Sequence, residues 1–187
     1  LVKDSLNRYR KFTFLPAKVV GNTVTSNTNY IMLERGSKQG VTKDMSVISP
    51  QGIVGVVVEV SENYSKVMSL LHKFSKVSAM LKKGNTSGDV EWDGNDPHFV
   101  TMRKVSKGAK VSIGDTVLTS TYSANFPSNI MVGTVAEIKP DPAASFYNLK
   151  VKTATNFFNL QYAYLVQNIR FAEQNELAKK KDTKINE

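Results

Sequence analysis

Between Ala17 and Ile169 the chain is written in twelve short β-rich runs, AKVVG, NYIMLER, MSVIS, IVGVVVEV, SKVMSLL, KVSAML, GDVEW, FVTMRKV, DTVLTS, IMVGTVAEI, NLKVKTA and AYLVQNI. Clusters of Gly, Asn, Asp, Ser and Pro separate them, and no convincing helix lies between. Parallel strands need long crossovers, usually helical, so this spacing implies an all-β protein built from antiparallel sheets, closed as barrels or stacked as a sandwich. At 187 residues, 41% hydrophobic and 22% charged, the chain has the composition of an ordinary folded protein. A chain of this size buries roughly 70% of its unfolded surface, enough for one medium core or two small ones.

An internal repeat chooses between the closures. GVTKDMSVISPQGIVGVVVEV and SIGDTVLTSTYSANFPSNIMVGTVAEI share one grammar. In each, a glycine near Lys or Asp leads into a short apolar strand ending in Ser, then a proline-containing loop, then an apolar strand interrupted by Gly55 or Gly133. A glycine inside a strand marks a bulge or a barrel corner. Two copies of such a unit predict two small antiparallel β-barrels.

The ends read differently. Val2, Leu6 and Tyr9 are spaced four and then three, the a/d alternation of a heptad, and Pro16 stops any helix that carries them. Residues 1–13 are therefore expected to be the end of a coiled-coil helix that begins upstream, with Val2, Leu6 and Tyr9 as dimerisation residues. Residues 172–187 are polar, lack an apolar stripe and are expected to form a flexible tail.

Chemistry is sparse. Without cysteine there are no disulfides, thiolate nucleophiles or Cys-type zinc sites. No run reaches the ~20 apolar residues of a membrane span. Asp89, Glu91, Asp93 and Gly94 imitate the start of an EF-hand loop, but Val100 occupies the position that requires a bidentate Glu, and the Asp93-Gly94 pair reads as a hairpin turn. GDT at 114–116 faintly echoes a protease nucleophile turn, yet His72 and His98 are the only histidines and no oxyanion nest is signalled. The glycine pairs in RGSKQG and GIVGVV lack the P-loop ending. No catalytic, cofactor-binding or metal-binding residue is therefore assigned. The net charge of +9 is spread over the body of the chain, consistent with a nearby anionic surface. A basic β-barrel that binds RNA or an anionic polysaccharide is the alternative reading, although the aromatics in FYNLKV and YAYLV are taken up by apolar strand patterns that core packing explains.

With these residues in view, the chain resembles the rod shape-determining MreC family. The resemblance rests on AKVVG, on IMLERGSKQGVTKDMSVISPQGIVGVVVEVSENYSKVMSLL and on GDTVLTSTYSANFPSNIMVGTVAEI, with Gly36, Gly40, Gly52, Gly55, Gly114 and Gly133 in matching places. It implies a non-enzymatic, single-span protein on the periplasmic face of the bacterial inner membrane, with a coiled coil and two β-barrels and its anchor outside this sequence. It further implies dimers and larger assemblies, and a scaffold joining a class B penicillin-binding protein and MreD, with no cofactor and no nucleic acid.

The family topology makes the second barrel an insertion: residues 14–58 and 147–171 for the first, 59–146 for the second, with junctions near Glu59 and Phe146. Partner contacts through sheet edges and loops are expected at Tyr122, Phe126, Ile130 and Met131, with a plug of its own barrel as the other role for Phe126. Two departures stand out. Thr121, Ser123 and Ala124 replace small or glycine residues, which predicts a different path for that loop, and His72 stands where relatives often carry Asp.

Overall fold

A computed structural model of the chain describes residues 12–123, 125–140, 145–170, 173, 176 and 177. The strands are β1 (Phe12–Asn22), β2 (Thr28–Leu33), β3 (Ser46–Ile48), β4 (Ile53–Val60), β5 (Ser65–His72), β6 (Lys76–Leu81), β7 (Ser87–Glu91), β8 (Phe99–Ser106), β9 (Thr116–Thr119), β10 (Met131–Pro140), β11 (Phe146–Thr153) and β12 (Tyr162–Asn168). Each overlaps one of the twelve runs, although β1 begins at Phe12, five residues before AKVVG. Two sheets close on themselves, β1-β12-β3-β4-β5-β2 and β10-β11-β8-β7-β6-β9, antiparallel at every pairing.

Period-two alternation builds each interior. Val77, Ala79 and Leu81 of β6 point inward while Lys76 is exposed, and Ala163 and Leu165 of β12 are buried between exposed Tyr162 and Tyr164. β5 departs from the pattern, because Ser69, Leu70, Leu71 and His72 are all buried where the chain leaves the first barrel.

The barrels are copies of one design. Strands β1 to β5 pair with one another as β7 to β11 do, and the sixth position is taken by β12 in the first barrel and by β6 in the second. The repeat extends to backbone detail. β4 shifts register between Val57 and Glu59 and β10 between Val135 and Glu137, two residues beyond Gly55 and Gly133 respectively. A Cβ at Gly55 would meet the Met68 carbonyl at 2.1 Å, and one at Gly133 the Lys152 carbonyl at 2.0 Å, so only glycine lets the neighbouring strand pass.

The domain borders differ from the sequence expectation. Glu59 pairs with Lys66 inside the first barrel, and Phe146 pairs with Ser106 inside the second, so neither is a junction. The second barrel runs unbroken from β6 to β11, and the crossings are residues 73–75 and 154–161. The β4-β5 turn around Ser61, beside the expected junction near Glu59, is a hairpin within one barrel, held by Ser61 N–H donating to the Tyr64 carbonyl at 2.8 Å. Phe12 and Thr13, counted in the expected helix, instead pair with Asn168 and Gln167 of β12. Val2, Leu6 and Tyr9 lie outside the described residues, as does most of the 172–187 tail.

Candidate functional site: the groove between the barrels

The barrels meet at a joint set by the β3-β4 turn and the return crossing. Ser49 shapes the turn, its N–H donating to the Gly52 carbonyl at 2.7 Å while its hydroxyl accepts from the N–H groups of Gln51 and Gly52 at 3.2 Å. The turn presses Gly52 against the second barrel so closely that a Cβ there would lie 2.5 Å from the Met131 carbonyl and 3.3 Å from the Ala154 methyl. Thr155 locks the crossing by donating to the Ile53 carbonyl at 2.8 Å, with the Ser49 hydroxyl 3.2 Å away. Asn156 N–H donates to the Gln51 side chain at 3.0 Å, and His98 of the second barrel stacks on Phe158 with centroids 5.0 Å apart.

Beside this joint lies a groove of about 470 Å³. Phe14, Ile48, Pro50 and Tyr164 come from the first barrel, and Asn129, Ile130 and Met131 from the second. The strand pairings explain its apolar wall: Tyr164 sits between Pro16 of β1 and Ile48 of β3, all outside the barrel. Phe14 is 53% exposed and Tyr164 39%, a cost in hydrated apolar surface that marks interaction faces.

The structure divides the four loop residues chosen from the sequence. Ile130 and Met131 line the groove. Tyr122 is 81% exposed and stands free of it. Phe126 is buried in the core, so it plugs its own barrel. Thr119 organises the loop: its hydroxyl donates to the Pro127 carbonyl at 2.6 Å and accepts from Ile130 N–H at 2.9 Å. Ser120 and Ser123 accept from the N–H groups of Tyr122 and Phe126. Among the described residues of the loop the left-handed one is Asn129 at φ 67°, while Thr121 has no positive φ, which is how the loop dispenses with glycine at that position.

Phe14, Ile48 and Tyr164 were missed. The alternation in YAYLV held the signal, because burying Ala163 and Leu165 turns Tyr162 and Tyr164 outward, and core packing does not account for them. Recognition at a sheet edge also needs correction, since closure of both sheets pairs each strand on two sides.

Nothing in the groove is built for bond chemistry. Its polar groups are neutral, and no cluster of three or more metal-ligating side chains occurs among the described residues. Asp89 is instead occupied by Lys104 at 2.7 Å and Lys76 at 3.3 Å, which hold its carboxyl below the usual range, and Gly94 takes φ 86° in the expected turn. Lys66, Lys73 and Lys150 cover the rings of Tyr30, Phe74 and Phe99 at 4.2–4.9 Å.

The family model described as rod shape-determining protein MreC, barrel core, matches residues 19–167. The chain belongs to the MreC family. The cell shape-determining protein MreC of Listeria monocytogenes is 24% identical over 167 residues, which are 88% of this chain and 57% of that protein. The chain thus spans little more than half of that relative's length. A solved structure of MreC from Listeria monocytogenes aligns with a TM-score of 0.78 at 24% identity, covering 89% of this chain and 80% of the other. A chain of the complex between penicillin-binding protein PBP2 and MreC from Helicobacter pylori aligns with a TM-score of 0.68 at 18% identity, covering 85% and 99%. At these identities the likeness to the MreC structures is one of fold, and both barrels share in it.

Proposed function

We propose that this chain is the barrel region of a non-catalytic scaffold on the periplasmic face of the bacterial inner membrane, which organises peptidoglycan synthases of the elongation machinery and so maintains cell shape. One observation carries the reading: an MreC-family double barrel keeps an exposed apolar groove walled by both barrels, where an enzyme of this size would need convergent ionisable groups. The complex of PBP2 with MreC from Helicobacter pylori supports a class B penicillin-binding protein as the occupant. In the whole protein, Val2, Leu6 and Tyr9 belong to a dimerising coiled coil that continues toward the membrane anchor, where MreD is a further partner.

Binding of the periplasmic region of an elongation-specific class B penicillin-binding protein, followed by calorimetry, tests the site. Tyr164→Asp and Met131→Asp each put a charge into the apolar wall and are expected to weaken binding about tenfold or more. Tyr122→Asp, outside the groove, is expected to have a smaller effect. Unchanged affinity in both groove variants, with unchanged melting temperatures, would remove the groove from the interface.

A further inference from the structure

The end of the second barrel that faces away from the groove carries a different surface. There β6 turns into β7 through Lys82 and Lys83, and β8 leads to β9 through a loop containing Lys107 and Lys110. The two segments abut, since Lys82 N–H donates to the Thr116 carbonyl at 2.9 Å, and Lys107 N–H donates to the Ser145 carbonyl at 3.1 Å beside the start of β11. Ala109 and Val111 turn inward against the core and cap the barrel mouth. That orientation sends Lys107, Lys110 and Ile113 outward.

Ile113 is 72% exposed and Phe146, at the same pole, 44%. Among the described residues the acids here are already engaged: Asp115 accepts from Ser112 N–H at 2.8 Å, and Glu137 faces Lys139 at 3.6 Å. Lys82, Lys83 and Lys110 form no ion pair among the described residues.

We propose that this pole is a docking surface for an anionic lipid bilayer, with Ile113 entering the headgroup layer inside a ring of Lys82, Lys83 and Lys110. Charge complementarity selects an anionic partner, since each lysine brought near such a surface gains attraction that salt screens. The apolar tip selects the bilayer over a soluble polyanion. A chain of phosphates or uronates would satisfy the lysines and leave Ile113 in water, whereas the acyl boundary gives it an apolar medium. The surface lies at the opposite end of the barrel from the groove, so the proposal stands independently of synthase docking.

The test is co-sedimentation of the full 187-residue chain with vesicles of phosphatidylglycerol and phosphatidylethanolamine, against vesicles of phosphatidylcholine alone. The chain is expected to partition onto the anionic vesicles only. Replacing two lysines, K82Q with K83Q, should lower partitioning about thirtyfold. Ile113→Ser should lower it about tenfold with no change in melting temperature, because the side chain is exposed. K18Q with K43Q, on the first barrel, should leave it unchanged. The proposal is overturned by absence of binding to anionic vesicles, or by binding that survives K82Q with K83Q and disappears when Lys179, Lys180 and Lys181 are replaced. An indifferent Ile113→Ser together with full displacement by inorganic polyphosphate would also overturn it, reassigning the pole to a soluble polyanion.

Discussion

Substituting Gly52 by alanine isolates the contact between the barrels from everything else in the fold. Gly52 does not take a left-handed φ, so alanine brings no backbone penalty and only its methyl matters. That methyl would lie 2.5 Å from the Met131 carbonyl, which must withdraw by 0.5–0.9 Å to restore the 3.0–3.4 Å of a tight contact. The carbonyl sits at the start of β10 and cannot swing aside as a flexible side chain would. The turn cannot retreat either, since Ser49 and Thr155 tie it to the crossing. Overpacking of this kind costs about 1–3 kcal/mol. At about 2–4 °C per kcal/mol for a chain of this size, Gly52→Ala should lower the melting temperature by about 2–12 °C. Gly108→Ala is the control, because its Cβ would meet nothing nearer than the Ser106 hydroxyl at 3.6 Å, and surface changes of that kind stay within about 0.5 kcal/mol. Differential scanning calorimetry reads both. If Gly52→Ala melts with Gly108→Ala, the barrels are not pressed together at this turn in solution, and a groove that depends on their fixed relation loses its foundation.

Two further perturbations probe the loop and the first crossing. Thr119→Val keeps the shape of the side chain but strands the Pro127 carbonyl and the Ile130 N–H, so it should cost about 2–4 kcal/mol in chemical denaturation, with Thr119→Ser close to the parent. His72, buried before residues 73–75, accepts from Phe74 N–H on Nδ1 at 3.1 Å and lies 3.2 Å from the Tyr30 hydroxyl through Nε2, an arrangement that requires the neutral ring. Burial, and then the neighbouring Lys73 charge, hold its pKa below 6.5. The unfolded chain therefore takes up this proton first as pH falls. The stability is fully present above the unfolded value, declines as pH drops from there to the native pKa, and levels off below it. Urea midpoints at about pH 8 and about pH 5 should differ for the parent and converge in His72→Asn, whose amide oxygen can accept from Phe74 N–H without titrating; an equal loss in the variant would place the pH sensitivity elsewhere. Asp89 and Asp96, both held below the ordinary carboxylate value, titrate beneath this window.

The sequence was most informative where one residue type answers one local demand. The β4 run IVGVVVEV and the β6 run KVSAML match their strands end to end, because alternation and flanking turn residues are local properties. The glycines at 55 and 133 were legible for a related reason: a strand that must pass a carbonyl at 2.0–2.1 Å admits no side chain, and the repeat displayed that requirement twice. What could not be read was decided between distant segments. β5 to β6 and β11 to β12 look like ordinary neighbours along the chain, yet each pair belongs to two barrels. Nothing local distinguishes a hairpin that stays within a barrel from a crossing that leaves it. The groove shares that origin. Phe14 and Tyr164 are ordinary strand residues whose exposure follows from which faces the closed sheets leave outside, and Met131 joins them only because Gly52 lets the second barrel approach. A site assembled from residues 14, 48, 131 and 164 has no spacing to recognise, so its sequence marks are local ones: the alternation in YAYLV that turns Tyr164 outward, and the small residue that holds the two walls at their distance.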